Sequence, residues 1–171
     1  MKSPDQAKKF ALVGVGNPYR HDDAVGLRIV EVISGKLERT DVLLESIAID
    51  IFDLDDLLAE HTGLEKLLLV DAVENDQLPP GTVISFATDD PEVESVAFTS
   101  LTHNIGIWDY IEMLQKSKPD SLPSEVRIIG VVAKDISFGE GLSEEVLASL
   151  PKVEEVVRFW LAGAEIKGKK W

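Results

Sequence analysis

The sequence contains no cysteine, which excludes disulfides, a thiolate metal site and a cysteine nucleophile within this chain. It has no apolar run of transmembrane length, and its start, MKSPDQAKK, lacks the apolar segment of a signal peptide. The expectation is a soluble cytoplasmic protein with no membrane insertion. Basic residues are scarce: 17 Lys and Arg stand against 31 Asp and Glu, for a formal net charge of -14. Electrostatics therefore disfavours nucleic acid or an anionic membrane as partner and favours a basic partner or a bound cation. Neither HExxH nor GxSxG occurs, nor any Walker-type phosphate loop. Helical zinc peptidases and nucleophile-elbow hydrolases thus have no signature here.

The 171 residues, 44% hydrophobic, suffice for one domain with a sizeable core. That domain is expected over residues 1–163, with 164–171 as a loose basic tail. At its centre lies GVGNPYRHDDAVG, Gly14 to Gly26. Phe10 to Val15 is apolar enough for a buried strand, and Gly14, Gly16, Asn17 and Pro18 favour a turn. From Ala24 onward, Val25, Leu27, Ile29, Val30, Ile33 and Leu37 recur at helical spacing. Asp22 and Asp23 therefore stand at the mouth of a helix.

Further strands are expected at Val42 to Ala48, at Lys66 to Val73, in TVISFA and at Val126 to Val132. The connection NDQLPPG is too short for a crossover helix, so TVISFA should run antiparallel to its neighbour. Helices are expected over Ile51 to Glu60, over Leu101 to Lys116 beginning near Thr102 and His103, and after the N-cap Ser143, with Pro151 breaking or restarting the last one. DDPEVESVAFTS reads as an acidic loop. The alternation defines an α/β domain with a five-stranded, mostly parallel sheet and helices on both faces.

Ligands of such sheets bind at the carboxyl ends of the strands. The first strand delivers Asp22 and Asp23 there, the third delivers Asp71, and the link after the fourth delivers His103. Each has a plainer explanation. The acidic pair suits helix capping, Asp71 suits a solvated strand end or a turn cap, and His103 suits bonding to nearby backbone. His21 and His61 are poorer candidates. Together the carboxylates and imidazole form an O,O,N set for a borderline divalent ion, or a carboxylate-based hydrolytic site. The dinucleotide reading of GVGN fails at Tyr19, where the third glycine of that fingerprint would stand.

The motifs GVGNPYRHDDAVGLRIVE, LLLVDAV, LTHNIGIWDYIEML and VRIIGVVAKDISFGEGLSEEV, in this order, resemble the hydrogenase maturation endopeptidases. The resemblance implies a five-stranded twisted sheet between helices, of the phosphorylase/hydrolase-like class. It also implies removal of a C-terminal extension from the precursor of a nickel-iron hydrogenase large subunit after nickel insertion. The nickel is held mainly by the precursor's cysteines, and Asp23, Asp71 and His103 carry over as the residues that complete its site. A non-proteolytic nickel-binding maturation factor is the alternative. The chain departs from the family twice: Asp23 stands where many members have Glu, and ESIAID replaces a glycine-containing turn after the second strand.

Overall fold

The computed structural model describes residues 8–90, 99–100, 106–164 and 169–171. Strand β1 (Phe10–Gly16) leads through a short 3-10 turn (His21–Ala24) into helix α1 (Val25–Ser34). Then follow β2 (Val42–Ala48), α2 (Asp53–Glu60), β3 (Lys66–Glu74), β4 (Val83–Ala87), β5 (Thr99–Ser100), α3 (Ile107–Ser117), β6 (Glu125–Val132), α4 (Glu144–Leu161) and β7 (Lys169–Lys170). The sheet order is β2-β1-β3-β6-β4-β7, with β5 attached to β3. Strands β1, β2, β3 and β6 are parallel to their neighbours in that order, and β4 runs antiparallel to β6. This is the expected five-stranded mixed sheet. The two-residue strands β5 and β7 are additions at its margins, both antiparallel.

Strand β3 lies at the middle of the sheet and is buried from Leu67 through Val73, as its unbroken apolar run demands. Alternate side chains feed two cores. Leu67, Leu69 and Val73 meet Leu54 and Leu58 of α2 and Ile107, Ile111 and Leu114 of α3. On the other face Leu68 and Val70 meet Val25 and Ile29 of α1 and Val153, Val157 and Trp160 of α4. Helix α1 lies unusually close to the sheet. A Cβ on Gly26 would stand 2.3 Å from both the Val15 and Val70 carbonyl oxygens, and one on Gly14 would stand 1.9 Å from the Gly26 oxygen. Glycine at both positions lets the helix start directly over β1 and β3.

Four expectations need correction. The segment 164–171 is not wholly loose: Lys169 and Lys170 pair with β4, and Trp171 exchanges backbone hydrogen bonds of 2.8 and 2.9 Å with Val83. This covers a backbone edge that would otherwise be open. Pro151 neither breaks nor restarts α4, which runs unbroken from Glu144 to Leu161. The helical hydrogen bond that Pro151 cannot donate would have ended on the carbonyl of Leu147, an exposed residue, while Val153, Val156, Val157 and Trp160 hold the helix to the sheet. Helix α3 begins at Ile107 after an extended Gly106, beyond His103. Within the expected acidic loop, Thr99 and Ser100 form β5. Residues 101–105, His103 among them, lie outside the described residues.

Candidate active site

The turn after β1 divides the acidic pair between two tasks. Asp22 is fully buried. It accepts hydrogen bonds from the backbone N–H groups of Lys134 (2.8 Å), Asp135 (2.9 Å) and Ser143 (2.7 Å), and from the Ser143 hydroxyl (2.9 Å). Its own N–H donates to the Asp135 carbonyl at 3.0 Å. Asp22 thus caps not its own helix but the loop between β6 and α4, and Ser143 in turn caps α4 by accepting from the Val146 N–H. His21 adds to the same seam. It takes a positive φ of 39°, its N–H donates to Gly139, and its Nδ1 lies 3.0 Å from the Gly141 carbonyl oxygen.

Asp23 is held from the other side. Its N–H donates to the Arg20 carbonyl at 3.0 Å, and its carbonyl accepts the Asn17 N–H at 3.2 Å. A Cβ on Gly16 would stand 1.8 Å from that same Asp23 carbonyl oxygen, so the second glycine of GVGN exists to let this turn close. This is the physical role of the motif, in place of the dinucleotide role that its first residues suggest. Asp23 is 1% exposed. The sequence places it at the mouth of a helix, and the close seating of the turn on β1 buries it there.

Asp71 is not a solvated strand end either. It lies inside β3, paired with Gly130 of β6, and is 1% exposed. Its Oδ1 accepts the Ala72 N–H at 2.8 Å, whereas Oδ2 is buried with no hydrogen-bond partner among the described residues. Burial pushes the Asp71 carboxyl well above the usual carboxylate range, and the neighbouring Asp23 charge pushes it further, against a small opposing effect of the Ala72 N–H. The structure therefore brings Asp23 and Asp71 together and sets Asp22 apart. The orphaned Oδ2 fits a cation or a shared proton, which are the two ways a buried carboxyl pair is relieved of its repulsion. Among the described residues no three His, Cys, Asp or Glu side chains form a metal-binding group.

His61 is far from this edge. It lines a groove of about 400 Å³ with Asp55, Lys118 and Asp120, where α2 ends ahead of the amino end of β3. The loop Lys134 to Ser143, part of the last of the four family motifs, has a role that no single residue announces: it fits against the turn after β1. Its two glycines, Gly139 and Gly141, both adopt positive φ, and they were the available signal of a loop built to fit against something.

The chain is thus an α/β domain with two buried carboxyl side chains, Asp23 and Asp71, towards the carboxyl ends of its parallel strands. Comparison with known proteins narrows this. The family model for hydrogenase maturation proteases matches residues 51–159. The Hydrogenase 2 maturation protease of Escherichia coli K12 is 27% identical over 157 residues, covering 87% of this chain and 88% of that protein. Protein FrxA of Pyrococcus furiosus is 29% identical over 136 residues, covering 80% of this chain and 93% of that one. Among solved structures, the NiFe hydrogenase maturation protease HybD of Thermococcus kodakarensis superposes with a TM-score of 0.69 at 30% identity, covering 88% of this chain and 97% of that one. The hydrogenase maturating endopeptidase of E. coli has the same fold, with a TM-score of 0.69 at 24% identity over 94% of this chain and 98% of that one. The chain belongs to the hydrogenase maturation protease family. As a member it is an endopeptidase of hydrogenase maturation.

Proposed function

We propose that this protein removes the C-terminal extension from the precursor of a nickel-iron hydrogenase large subunit, and does so only after nickel has been inserted. The observation that carries this is the buried Asp71 Oδ2 without a partner, beside Asp23. A buried carboxylate oxygen left without a partner is costly, and a divalent ion brought by the substrate offsets that cost. The absence of cysteine fits as well, because the soft thiolates then belong to the precursor and the protease supplies harder oxygen and nitrogen donors. Asp23 and Asp71 are the proposed donors from the described residues, with His103 as the third by resemblance.

In this reading the metal is part of the substrate and acts as a checkpoint that an empty precursor fails. When present it supplies Lewis acidity at the scissile peptide. The protein's own share is to hold Asp23 and Asp71 at fixed positions in a site closed to bulk solvent. One of the two carboxylates takes the proton from the attacking water and passes it to the leaving amine, which is aspartic-type chemistry without a covalent enzyme intermediate. The cytoplasm is the proposed place of reaction, and among the described residues no helix is long and apolar enough to cross a membrane.

The test mixes the purified protein with its large-subunit precursor, loaded with nickel or empty, and follows the precursor's mass. Loss of a C-terminal peptide from the loaded sample alone is the expected result. Equal cutting of both samples overturns the checkpoint, and no cutting of either overturns the proteolytic assignment.

A further inference from the structure

The carboxyl pair accounts for the centre of the site but not for what stands beside it. Phe138 is 79% exposed, more than any other large apolar side chain in the described residues, and Tyr19 is 58% exposed. Both belong to the two segments that Asp22 and His21 lock together. The Gly139 N–H donates to the Tyr19 carbonyl at 3.0 Å, and Arg20 bridges to Gly139 in parallel pairing. The Arg20 guanidinium lies over the Phe138 ring, 4.9 Å from its centroid.

This loop is not exposed through slackness. Asp135 Oδ1 accepts both the N–H and the hydroxyl of Ser137, at 2.8 and 2.7 Å, one residue before Phe138. Asp22 holds the loop at Lys134, Asp135 and Ser143. A ring held out into water on a rigid loop contributes little to folding, because its apolar surface stays hydrated. Other exposed apolar side chains, such as Met113 on α3 and Phe159 on α4, emerge singly from helices, which is ordinary for a surface.

The charge around the ring is also out of character. Arg20 makes no ion pair among the described residues, in a chain of net charge -14. Its backbone carbonyl accepts the Asp23 N–H, so the exposed pair is continuous with the catalytic turn. A partner that docks here presents an apolar side chain to Phe138 and Tyr19 and a carboxylate to Arg20. Aromatic and Arg side chains are enriched among the residues that dominate protein–protein binding, and a loop fixed in advance spares the cost of ordering it.

We propose that Phe138 and Arg20 form an anchoring patch for the folded body of the large-subunit precursor, engaging an apolar side chain next to a carboxylate on its surface. The proposal rests on the proteolytic reading for the identity of the partner. Its test compares wild type with Phe138→Ala, Arg20→Ala, Arg20→Glu and the control Phe159→Ala, measuring both precursor affinity by titration and the steady-state cleavage of nickel-loaded precursor. The expected result is a rise in Kd and KM of fivefold or more for the Ala variants and more for Arg20→Glu. Saturating kcat and Tm stay at the wild-type values, and Phe159→Ala changes nothing. Rising salt should weaken the wild type more steeply than Arg20→Ala.

Wild-type affinity in both Ala variants overturns the patch. So does sedimentation showing that the substitutions dissolve a dimer of this chain instead. Wild type that binds the precursor without cutting it overturns the proteolytic reading alone, and the affinities still decide the patch. Wild type that does not bind the precursor overturns both.

Discussion

The carboxylate of Asp22 and the N-cap residue Ser143, 121 positions apart in sequence, are joined by two hydrogen bonds, one to the Ser143 N–H at 2.7 Å and one to its hydroxyl at 2.9 Å. These bonds couple the turn after β1 to the start of the longest helix among the described residues. Whatever orients α4 therefore also orients the turn that carries Asp23.

Asp22→Ala should destabilise the protein through this connection. It strips an acceptor from three backbone N–H groups at once, and hydrogen bonds to a charged group contribute ~1.5–3 kcal/mol each. Some of those groups gain water, so a net loss of about 3 kcal/mol is expected. For a chain of this size that lowers Tm by roughly 6–12 °C, which thermal unfolding measures directly. Asp22→Asn keeps one acceptor oxygen and should lose less. A variant as stable as wild type would mean that the loop is held by other contacts.

Gly26→Ala should be worse than its chemistry suggests. The added methyl meets two backbone carbonyl oxygens at 2.3 Å, and neither belongs to a side chain that can turn aside. Helix α1 must lift from β1 and β3, carrying the turn with Asp23 along with it. A loss of roughly 3 kcal/mol or more is expected, with processing reduced even where the protein remains folded. Chemical denaturation with a parallel cleavage assay checks both effects.

Pro151→Ala should raise stability. Pro151 is exposed and sits inside α4, where a proline interior to a helix costs ~3 kcal/mol relative to Ala. The fold has already adapted to it, so a gain of about 1–2 kcal/mol is the expectation. Tm should rise by roughly 2–8 °C with cleavage unchanged, since the residue is far along the chain from the carboxyl pair.

How much of this was legible follows from which forces are local. The strands β1 and β3 and the helix α1 were readable because each carries its own apolar period, and the antiparallel β4 because a short connection leaves no room for a crossover. Ser143 as an N-cap is equally local. The division of labour between Asp22 and Asp23 was not, because it depends on N–H groups at Lys134, Asp135 and Ser143 that only the folded chain brings near. The continuity of α4 through Pro151 was hidden for a related reason: its apolar face, Val153 to Trp160, decides in favour of the helix through packing that no local rule contains. The pairing of Lys169 and Lys170 depended on an open edge of β4, which no property of the tail itself announces.

Asp71 gives a prediction in which the sign of a pH effect is the test. Its folded-state pKa is raised, first by burial and then by Asp23, so the folded protein holds a proton there that the unfolded chain gives up at roughly pH 3.9. A group of this kind contributes its full stability below the unfolded pKa and loses it as pH rises towards the folded pKa, by about 1.4 kcal/mol per pH unit between the two. Asp71→Asn removes that liability. Without any divalent ion, the variant should be more stable than wild type at neutral pH, and the difference should shrink as pH falls towards 4. The same substitution should abolish nickel-dependent processing, because an amide neither carries the charge nor balances a cation. Unfolding curves recorded across pH, alongside the cleavage assay, separate the two consequences. If Asp71→Asn unfolds more easily than wild type at pH 7 in the absence of metal, Asp71 is a structural hydrogen-bonding group, and its burial beside Asp23 has another cause.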